Sequence, residues 1–228
     1  VAFGPTMELN LLVGPNVFNQ SKETQVSVAV ELRHITKRFP GVIANKDVSI
    51  KVETGTVHAL VGENGAGKST VMKILYGMQR PDSGEILVNG AAVNFKNPND
   101  AIDAGIGMVH QHFMLADNFT VLENIILGSE PKKSGQIDFN AAREKISKMA
   151  ETYGLEINPD ELVENLGVGQ RQRVEILKVL YRGAKILIFD EPTAVLVPQE
   201  VDDLFNALHG LREKGMSVIF ISHKLDEV

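Results

Sequence analysis

The hydrophobic pattern becomes regular near Val30, and from there strand-like and helix-like segments alternate along the chain. Short, mostly apolar runs are typical of buried strands in a parallel sheet, and the segments between them have helical spacing of apolar and charged residues. The predicted strands are Thr56–Val61, Ile106–His110, Lys185–Phe189 and Ser217–Ser222. The predicted helices are Ser69–Tyr76, Ala141–Tyr153, Gln170–Tyr181 and Gln199–Lys214. This alternation predicts an α/β fold with a mostly parallel core sheet.

A second group of predicted strands has an antiparallel character. Val30–Ile35 is predicted to be an edge strand, and Ala44–Val52 is predicted to be another strand. Asn89-Gly90 separates two further runs, Gly84–Asn89 and Ala91–Phe95, and Asn-Gly is a strong signal for a tight hairpin. These segments predict an antiparallel β portion attached to the parallel core.

Residues 1–29 have Gly-Pro breaks and a polar SKETQ stretch, which argue against a long regular element. We expect an N-terminal extension, partly disordered, and an N-terminal strand or docking arm is the alternative. The segment lacks the charged start followed by an apolar run that a signal peptide needs.

Composition excludes several functional classes. The 228 residues include no cysteine, so disulfides, thiolate metal sites and a cysteine nucleophile are excluded. The net charge of −6 disfavours a globally basic nucleic-acid binder, and no nucleic-acid partner is expected. The sequence contains no run of about 18 apolar residues, so no membrane-spanning helix is predicted.

The strongest local signal is a glycine-rich loop that follows a predicted strand and precedes a predicted helix. Its residues are Gly62, Glu63, Asn64, Gly65, Ala66, Gly67, Lys68, Ser69 and Thr70, which satisfy G-x-x-x-x-G-K-[ST]. The glycines let successive backbone N–H groups point inward as an anion nest, and the following helix adds its positive end. Lys68 is predicted to reach the β- and γ-phosphates, and Ser69 to bind Mg²⁺. By itself the loop leaves ATPases, GTPases and small-molecule kinases open.

Acidic residues and a histidine follow two other predicted strands. Asp190 ends a buried strand, where a carboxylate would hold Mg²⁺ directly or through water. The adjacent Glu191 could orient or deprotonate an attacking water. His223 follows a strand that right-handed crossovers place beside the phosphate loop, which favours a switch or water-positioning role. His110-x-His112 is better interpreted as a loop than as a metal pair, because no third ligand is suggested.

Together these residues resemble the ATP-binding domain of ATP-binding-cassette (ABC) transporters, from about Val30 to Val228. The resemblance implies a P-loop NTPase fold with a RecA-like core sheet, an antiparallel β subdomain and an α-helical subdomain at about 97–183. It implies that Phe39 stacks on adenine and that Gln111 links Mg²⁺ and the nucleophilic water to the helical subdomain. It also implies catalytic roles for Glu191 and His223, with ATP and Mg²⁺ bound.

The signature motif departs from the family pattern L-S-G-G-Q. The chain has Leu166-Gly167-Val168-Gly169-Gln170, so Gly167 replaces the serine that contacts the γ-phosphate of the opposite subunit in the family. Losing a hydrogen bond to a charged group would weaken the ATP-bridged state about 10- to 150-fold. The backbone N–H groups of Gly167, Gly169 and Gln170 remain available to that nucleotide. The family's D-loop aspartate is also absent, since the chain has Ala194-Val195-Leu196-Val197.

The segments around Glu191 and Gln170 resemble the first cassette of double-cassette importer ATPases for simple sugars and nucleosides. This implies a second cassette, in the same polypeptide or in a homodimer, as a partner. It also implies transmembrane permease subunits and, indirectly, a solute-binding protein, at the cytoplasmic face of the membrane. It also implies that the domain at 30–228 is truncated at its C-terminal end. Two alternatives stay open, namely a non-hydrolytic regulatory cassette and a soluble ABC ATPase of translation or DNA repair.

Overall fold

The computed structural model describes residues 27–224 and the two-residue strand at 11–12, so most of the predicted extension lies outside the described residues. The strands are β1 (Leu11–Leu12), β2 (Val28–Phe39), β3 (Val42–Glu53), β4 (Val57–Val61), β5 (Ser83–Val88), β6 (Ala91–Val93), β7 (Ile106–Val109), β8 (Lys132–Lys133), β9 (Gln136–Ile137), β10 (Ile186–Asp190) and β11 (Ser217–Ser222). The helices are α1 (Lys68–Leu75), α2 (Pro98–Asp103), α3 (Val121–Ile126), α4 (Phe139–Tyr153), α5 (Val168–Tyr181) and α6 (Pro198–Glu213), with a 3₁₀ turn at Val163–Asn165.

The core sheet has the order β1-β4-β11-β10-β7. Strands β4, β11, β10 and β7 are parallel, and β1 is antiparallel to β4. Because parallel strands end at a common edge, the residues that follow β4, β10 and β11 lie at the same edge of the sheet. The predicted parallel core is therefore confirmed, and it brings the phosphate loop, Glu191 and His223 to one side.

Alternating residues of the central strand β10 pack into different hydrophobic clusters. Leu187 and Phe189 belong to a cluster that includes residues of α3, α4, α5 and α6. Ile186 and Ile188 belong to a second cluster formed with α1 and the antiparallel strands. The strand is thus buried on both faces, which explains why its sequence is continuously apolar instead of alternating.

The antiparallel sheet has the order β3-β2-β5-β6. The predicted hairpin around Asn89-Gly90 is confirmed by the antiparallel pairing of β5 with β6. The prediction that Val30–Ile35 is an edge strand was wrong, because β2 pairs with β3 on one side and β5 on the other. The alternating pattern on which the prediction was based shows that one face is polar, but it does not distinguish an edge strand from an inner one. On that polar face, the guanidinium of Arg33 pairs with Glu31 and Glu85.

The range 97–183, predicted as the helical subdomain, contains one strand of the core sheet, β7. Two six-residue helices in this range, α2 and α3, were not predicted. Asn97 caps α2, and Thr120 caps α3 through a reciprocal capping box with Glu123. None of the helices in the described part of the chain is long and apolar enough to cross a bilayer.

Candidate functional site

The glycine-rich loop curls around the amino group of Lys68, as the sequence predicts for a phosphate cradle. Lys68 is 5% exposed, and its Nζ donates to the carbonyl oxygens of Gly62 at 2.7 Å and Glu63 at 2.9 Å. Gly65 and Gly67 both have a φ of 84°, in the left-handed region that glycine adopts without penalty. The cationic head therefore lies inside the loop, where it can meet an anion.

Asn45 supports this loop from strand β3, and sequence reasoning missed it. Its Nδ2 donates to the carbonyl oxygen of Gly67 at 3.1 Å. A Cβ at Gly67 would lie 2.3 Å from the carbonyl oxygen of Ala44, so only hydrogen fits there. No sequence signal links Asn45 to the loop, because Gly67 lies 22 residues further along the chain, outside the sheet that contains Asn45.

Ser69 and Asp190 meet at the edge of the sheet beside the start of α1. The Ser69 hydroxyl donates to Oδ1 of Asp190 at 2.9 Å, and Asp190 is 8% exposed. A hydroxyl and a carboxylate are oxygen ligands of the kind that Mg²⁺ takes together with phosphate oxygens and waters. The donor set therefore fits the magnesium ion predicted from the sequence.

Glu191 and His223 face each other across the ends of β10 and β11. Oε2 of Glu191 lies 3.3 Å from Nδ1 of His223, and their side chains are 18% and 37% exposed. Glu191 has a φ of 48°, and its N–H donates to the carbonyl oxygen of Ile221 at 3.1 Å. Left-handed backbone at a non-glycine residue is often found at functional sites, and here it coincides with the predicted general base.

Phe39 and Gln111 lie at the ends of strands. Phe39 ends β2 with 37% of its surface exposed, and Nζ of Lys37 lies 5.6 Å from its ring centroid. Gln111 is exposed, two residues beyond β7, and lines a cavity of about 440 Å³. The same cavity is lined by Val168 and Arg171 at the start of α5, so Gln111 faces the signature helix. The adenine contact of Phe39 and the magnesium contact of Gln111 stay predictions.

His110, next to Gln111, is half-buried and packs edge-on against Tyr76, with ring centroids 6.1 Å apart. Burial lowers the pKa of His110, against a smaller rise from the carboxylates of Glu175 and Asp190. Burial therefore favours the neutral form of this imidazole over the charged one. Among the described residues, no group of three or more His, Cys, Asp or Glu side chains could hold a metal ion.

The signature segment forms the N-terminal end of α5, which begins at Val168 after the cap residue Gly167. Both glycine amides are already bonded to side chains. The N–H of Gly167 donates to Oε1 of Gln170 at 3.1 Å, and the N–H of Gly169 donates to Oε1 of Glu200 at 2.9 Å. Gln170 was predicted from the motif, whereas Glu200, 31 residues away on α6, was not.

Helix α5 also holds the segment after Gln111, through contacts that the sequence did not indicate. Oε1 of Glu175 accepts from the N–H of Met114 at 2.6 Å, and Nζ of Lys178 donates to the carbonyl oxygen of Met114 at 2.7 Å. Glu175 is 3% exposed, and burial lowers the pKa of Lys178. The i, i+3 spacing of the two charges was the only available signal for this contact.

A buried amide joins α5 to the loop after Glu191. Nε2 of Gln172 donates to the carbonyl oxygen of Pro192 at 3.0 Å, and Gln172 is 4% exposed. The signature helix therefore contacts the loops after two core strands, β7 and β10.

A parallel sheet whose strand ends present a phosphate loop, a serine–aspartate pair and a glutamate–histidine pair defines a P-loop NTPase. Comparison with known proteins narrows this class. A family model described as ABC transporter matches residues 45–194, and the chain belongs to this family.

The chain is 53% identical over 199 residues to a nucleoside import ATP-binding protein of Lactococcus lactis, covering 87% of the chain and 39% of that protein. It is 53% identical over 190 residues to a guanosine import ATP-binding protein of Bacillus subtilis, covering 83% of the chain and 37% of that protein. The chain thus spans about two fifths of the length of these relatives.

The fold is also similar to solved structures. An ATP-binding cassette of an ABC transporter, MJ1267 in its ADP conformation, superposes with a TM-score of 0.78 at 30% identity. The match covers 88% of this chain and 83% of that one.

Proposed function

We propose that this chain is an ATP-binding and ATP-hydrolysing cassette that energises import of a small solute, a sugar or a nucleoside, by an ABC transporter. The observation that carries the proposal is the convergence of Lys68, the Ser69–Asp190 pair and the Glu191–His223 pair at one edge of the parallel sheet. The relatives named as nucleoside, guanosine and ribose import ATP-binding proteins support the substrate class.

In this proposal, the backbone N–H groups of Gly62–Ser69 bind the phosphates, and Lys68 exchanges its two carbonyl contacts for phosphate oxygens. Ser69 and Asp190 would hold Mg²⁺, with Gln111 as a further ligand. When bound, the ion would supply positive charge against that which develops on the transferred phosphoryl group. Phe39 stacks on the adenine ring, since its ring is accessible at the end of β2.

Glu191 and His223 act on the water that attacks the γ-phosphate. Glu191 accepts a proton from the water while the water oxygen forms a bond to the γ-phosphorus. The bond between the γ-phosphorus and the bridging oxygen of the β-phosphate breaks. The products are ADP and inorganic phosphate. His223, 3.3 Å from Glu191, orients the carboxylate and the water. A positioned general base contributes about 10²- to 10⁴-fold to the rate.

We further propose that the chain is the first of two cassettes and works with transmembrane permease subunits at the cytoplasmic face of the membrane. The N-terminal end of α5 then faces the γ-phosphate held by the second cassette, and a solute-binding protein acts indirectly through the permease. The fact that the chain spans about two fifths of its relatives supports the presence of a second cassette. The non-hydrolytic alternative is not favoured by the relatives, which are named as import ATP-binding proteins.

Two variants test binding and hydrolysis separately. Lys68→Ala should lower the affinity for a fluorescent ATP analogue about 10- to 150-fold, because it removes a charged hydrogen bond to phosphate. Glu191→Gln should retain this affinity but lower phosphate release by the assembled pair of cassettes about 10²- to 10⁴-fold. Lys73→Ala, one turn further along α1, is the matched control for charge. Unchanged affinity in Lys68→Ala, or undiminished turnover in Glu191→Gln, would contradict the proposal.

A further inference from the structure

Glu200 joins the N-terminal ends of two helices with a single carboxylate. Its Oε1 accepts from the N–H of Gly169 in the first turn of α5 at 2.9 Å. Its Oε2 accepts from the N–H of Val197, the cap residue of its own helix α6, at 3.2 Å. Each oxygen thus binds one helix end, where an anion is favoured by the helix dipole.

The contact depends on the missing side chain at position 169. A Cβ there would lie 3.0 Å from Oε1 and 3.3 Å from Cδ and Cγ of Glu200. A side chain at position 169 would therefore push the carboxylate away from the amide, by a few tenths of an ångström for alanine and further for a larger residue. Glycine at position 169 therefore matters because it has no side chain, which lets the Glu200 carboxylate reach the amide. The conformational freedom of the glycine backbone is not the reason.

The Gly169 amide is the donor for which Glu200 and a nucleotide would compete. The N–H of Gly167 is bonded to a neutral group, the Gln170 amide, whereas that of Gly169 is bonded to an anion. In the proposed function, the γ-phosphate held by the second cassette approaches the same helix end. One N–H cannot donate at full strength to both the Glu200 carboxylate and the γ-phosphate. Two anions that share one donor also repel each other.

We infer that Glu200 is a positioning residue whose carboxylate competes with the neighbouring cassette's γ-phosphate for the Gly169 amide, and thereby limits the strength of the ATP-bridged pair. The inference rests on the proposed function. It assigns to Glu200 the opposite effect from that of a simple helix cap, which would only stabilise the signature helix.

The surroundings offer the displaced carboxylate a second position. Gly169, Glu200 and Arg173 line a cavity of about 400 Å³ between α4, α5 and α6. Arg173 is paired with Asp203 at 3.3 Å, and its side chain is 35% exposed. If the Glu200 carboxylate leaves the Gly169 amide, it can therefore move within this cavity, which also contains the guanidinium of Arg173.

The test measures ATP-driven association of two copies of the chain by analytical ultracentrifugation, in a Glu191→Gln background that blocks turnover. Adding Glu200→Gln should tighten the association about tenfold, because the variant keeps the side-chain shape but removes the charge that opposes the phosphate. Glu213→Gln is the matched control, since it removes the same charge from the same helix and lines the same cavity but does not contact Gly169. This control should change the association less than about twofold.

The outcomes separate the inference from the proposed function. Glu200 lies outside the chain's own phosphate loop, so binding of a fluorescent ATP analogue, measured at a chain concentration too low for association, should be equal in all variants. If the parent chain binds no nucleotide, the proposed function fails. If nucleotide binding is normal but Glu200→Gln leaves the association unchanged or weakens it, the inference alone is overturned. A weakened association would identify Glu200 as a cap that only stabilises α5.

Discussion

Two residues at the edge of the core sheet have left-handed backbone for different reasons. Gly67 has a φ of 84° in a space that admits only hydrogen, against the carbonyl oxygen of Ala44. Glu191 has a φ of 48°, and its N–H is held by the carbonyl oxygen of Ile221. This conformation costs an L-residue about 1–2 kcal/mol, so at Glu191 the neighbouring strand must hold it in place.

Gly67→Ala should lower the free energy of unfolding by about 3 kcal/mol or more, since the new methyl group meets backbone and the φ is unfavourable. Gly65→Ala is the control, because Gly65 has the same φ but a Cβ added there would have no neighbouring atom within 4 Å. It should cost only about 1–2 kcal/mol. Urea denaturation measures both, and equal losses would show that the close approach to Ala44 is unimportant.

Residues within one motif could be predicted from the sequence, whereas their supports from distant segments could not. Lys68 and Ser69 follow directly from the G-x-x-x-x-G-K-[ST] pattern, because the pattern itself defines the loop. Asn45, Glu175 and Glu200 act over separations of 22, 61 and 31 residues. Each is an ordinary polar residue in its own element, and only the folded chain shows what it contacts.

At the scale of elements, α5 connects several parts of the site. Its first turn carries the signature glycines, Gln172 contacts the loop after β10, and Glu175 and Lys178 hold both backbone polar groups of Met114. Met114 is 64% exposed, so these two hydrogen bonds hold its backbone in place while its thioether stays accessible. The helix therefore positions the segment that follows Gln111.

Lys178→Met should increase amide hydrogen exchange in the peptide at 111–116 about 10- to 150-fold, because it removes one charged hydrogen bond and keeps the apolar stem. Mass spectrometry of the exchanged protein measures this rate. Lys148→Met, on the exposed face of α4, is the control and should leave the peptide unchanged. Exchange that is equally slow in both variants would mean that Glu175 alone holds Met114.

Longer and more deeply buried elements were predicted more accurately from the sequence than short ones. The longer helices α4, α5 and α6 were found within two residues of their ends, because each repeats its apolar pattern over several turns. The six-residue helices α2 and α3 were missed because they are too short to repeat an apolar pattern, although their caps at Asn97 and Thr120 are signals that the sequence contains. The position of β2 inside its sheet depends on pairing with β5, which its own pattern does not encode.

At the scale of the whole molecule, two half-buried histidines make stability sensitive to acid. His58 lies on β4, and its buried Nε2 has no hydrogen-bond partner among the described residues. Burial lowers the pKa of His58, with a smaller opposing effect from Glu53, and burial also lowers the pKa of His110. The folded chain then binds fewer protons than the unfolded chain below about pH 6.5. The free energy of unfolding therefore falls as the pH drops below this value.

His58→Gln should make the free energy of unfolding less dependent on pH between 7 and 5, because one depressed imidazole no longer titrates. Urea denaturation at several pH values provides the slope. His209→Gln, at an exposed position on α6, is the control and should keep the parent slope. A His58→Gln slope equal to that of the parent would exclude His58 as a contributor.

The hydrogen bond between Gln172 and Pro192 has a consequence for a pair of cassettes. Gln172 belongs to α5, which in the proposed pair would face the neighbour's nucleotide, and Pro192 directly follows Glu191, the proposed general base for the chain's own nucleotide. A displacement of either element strains the same buried amide. In the proposed pair, this hydrogen bond would therefore couple binding and release at one nucleotide site to binding and release at the other.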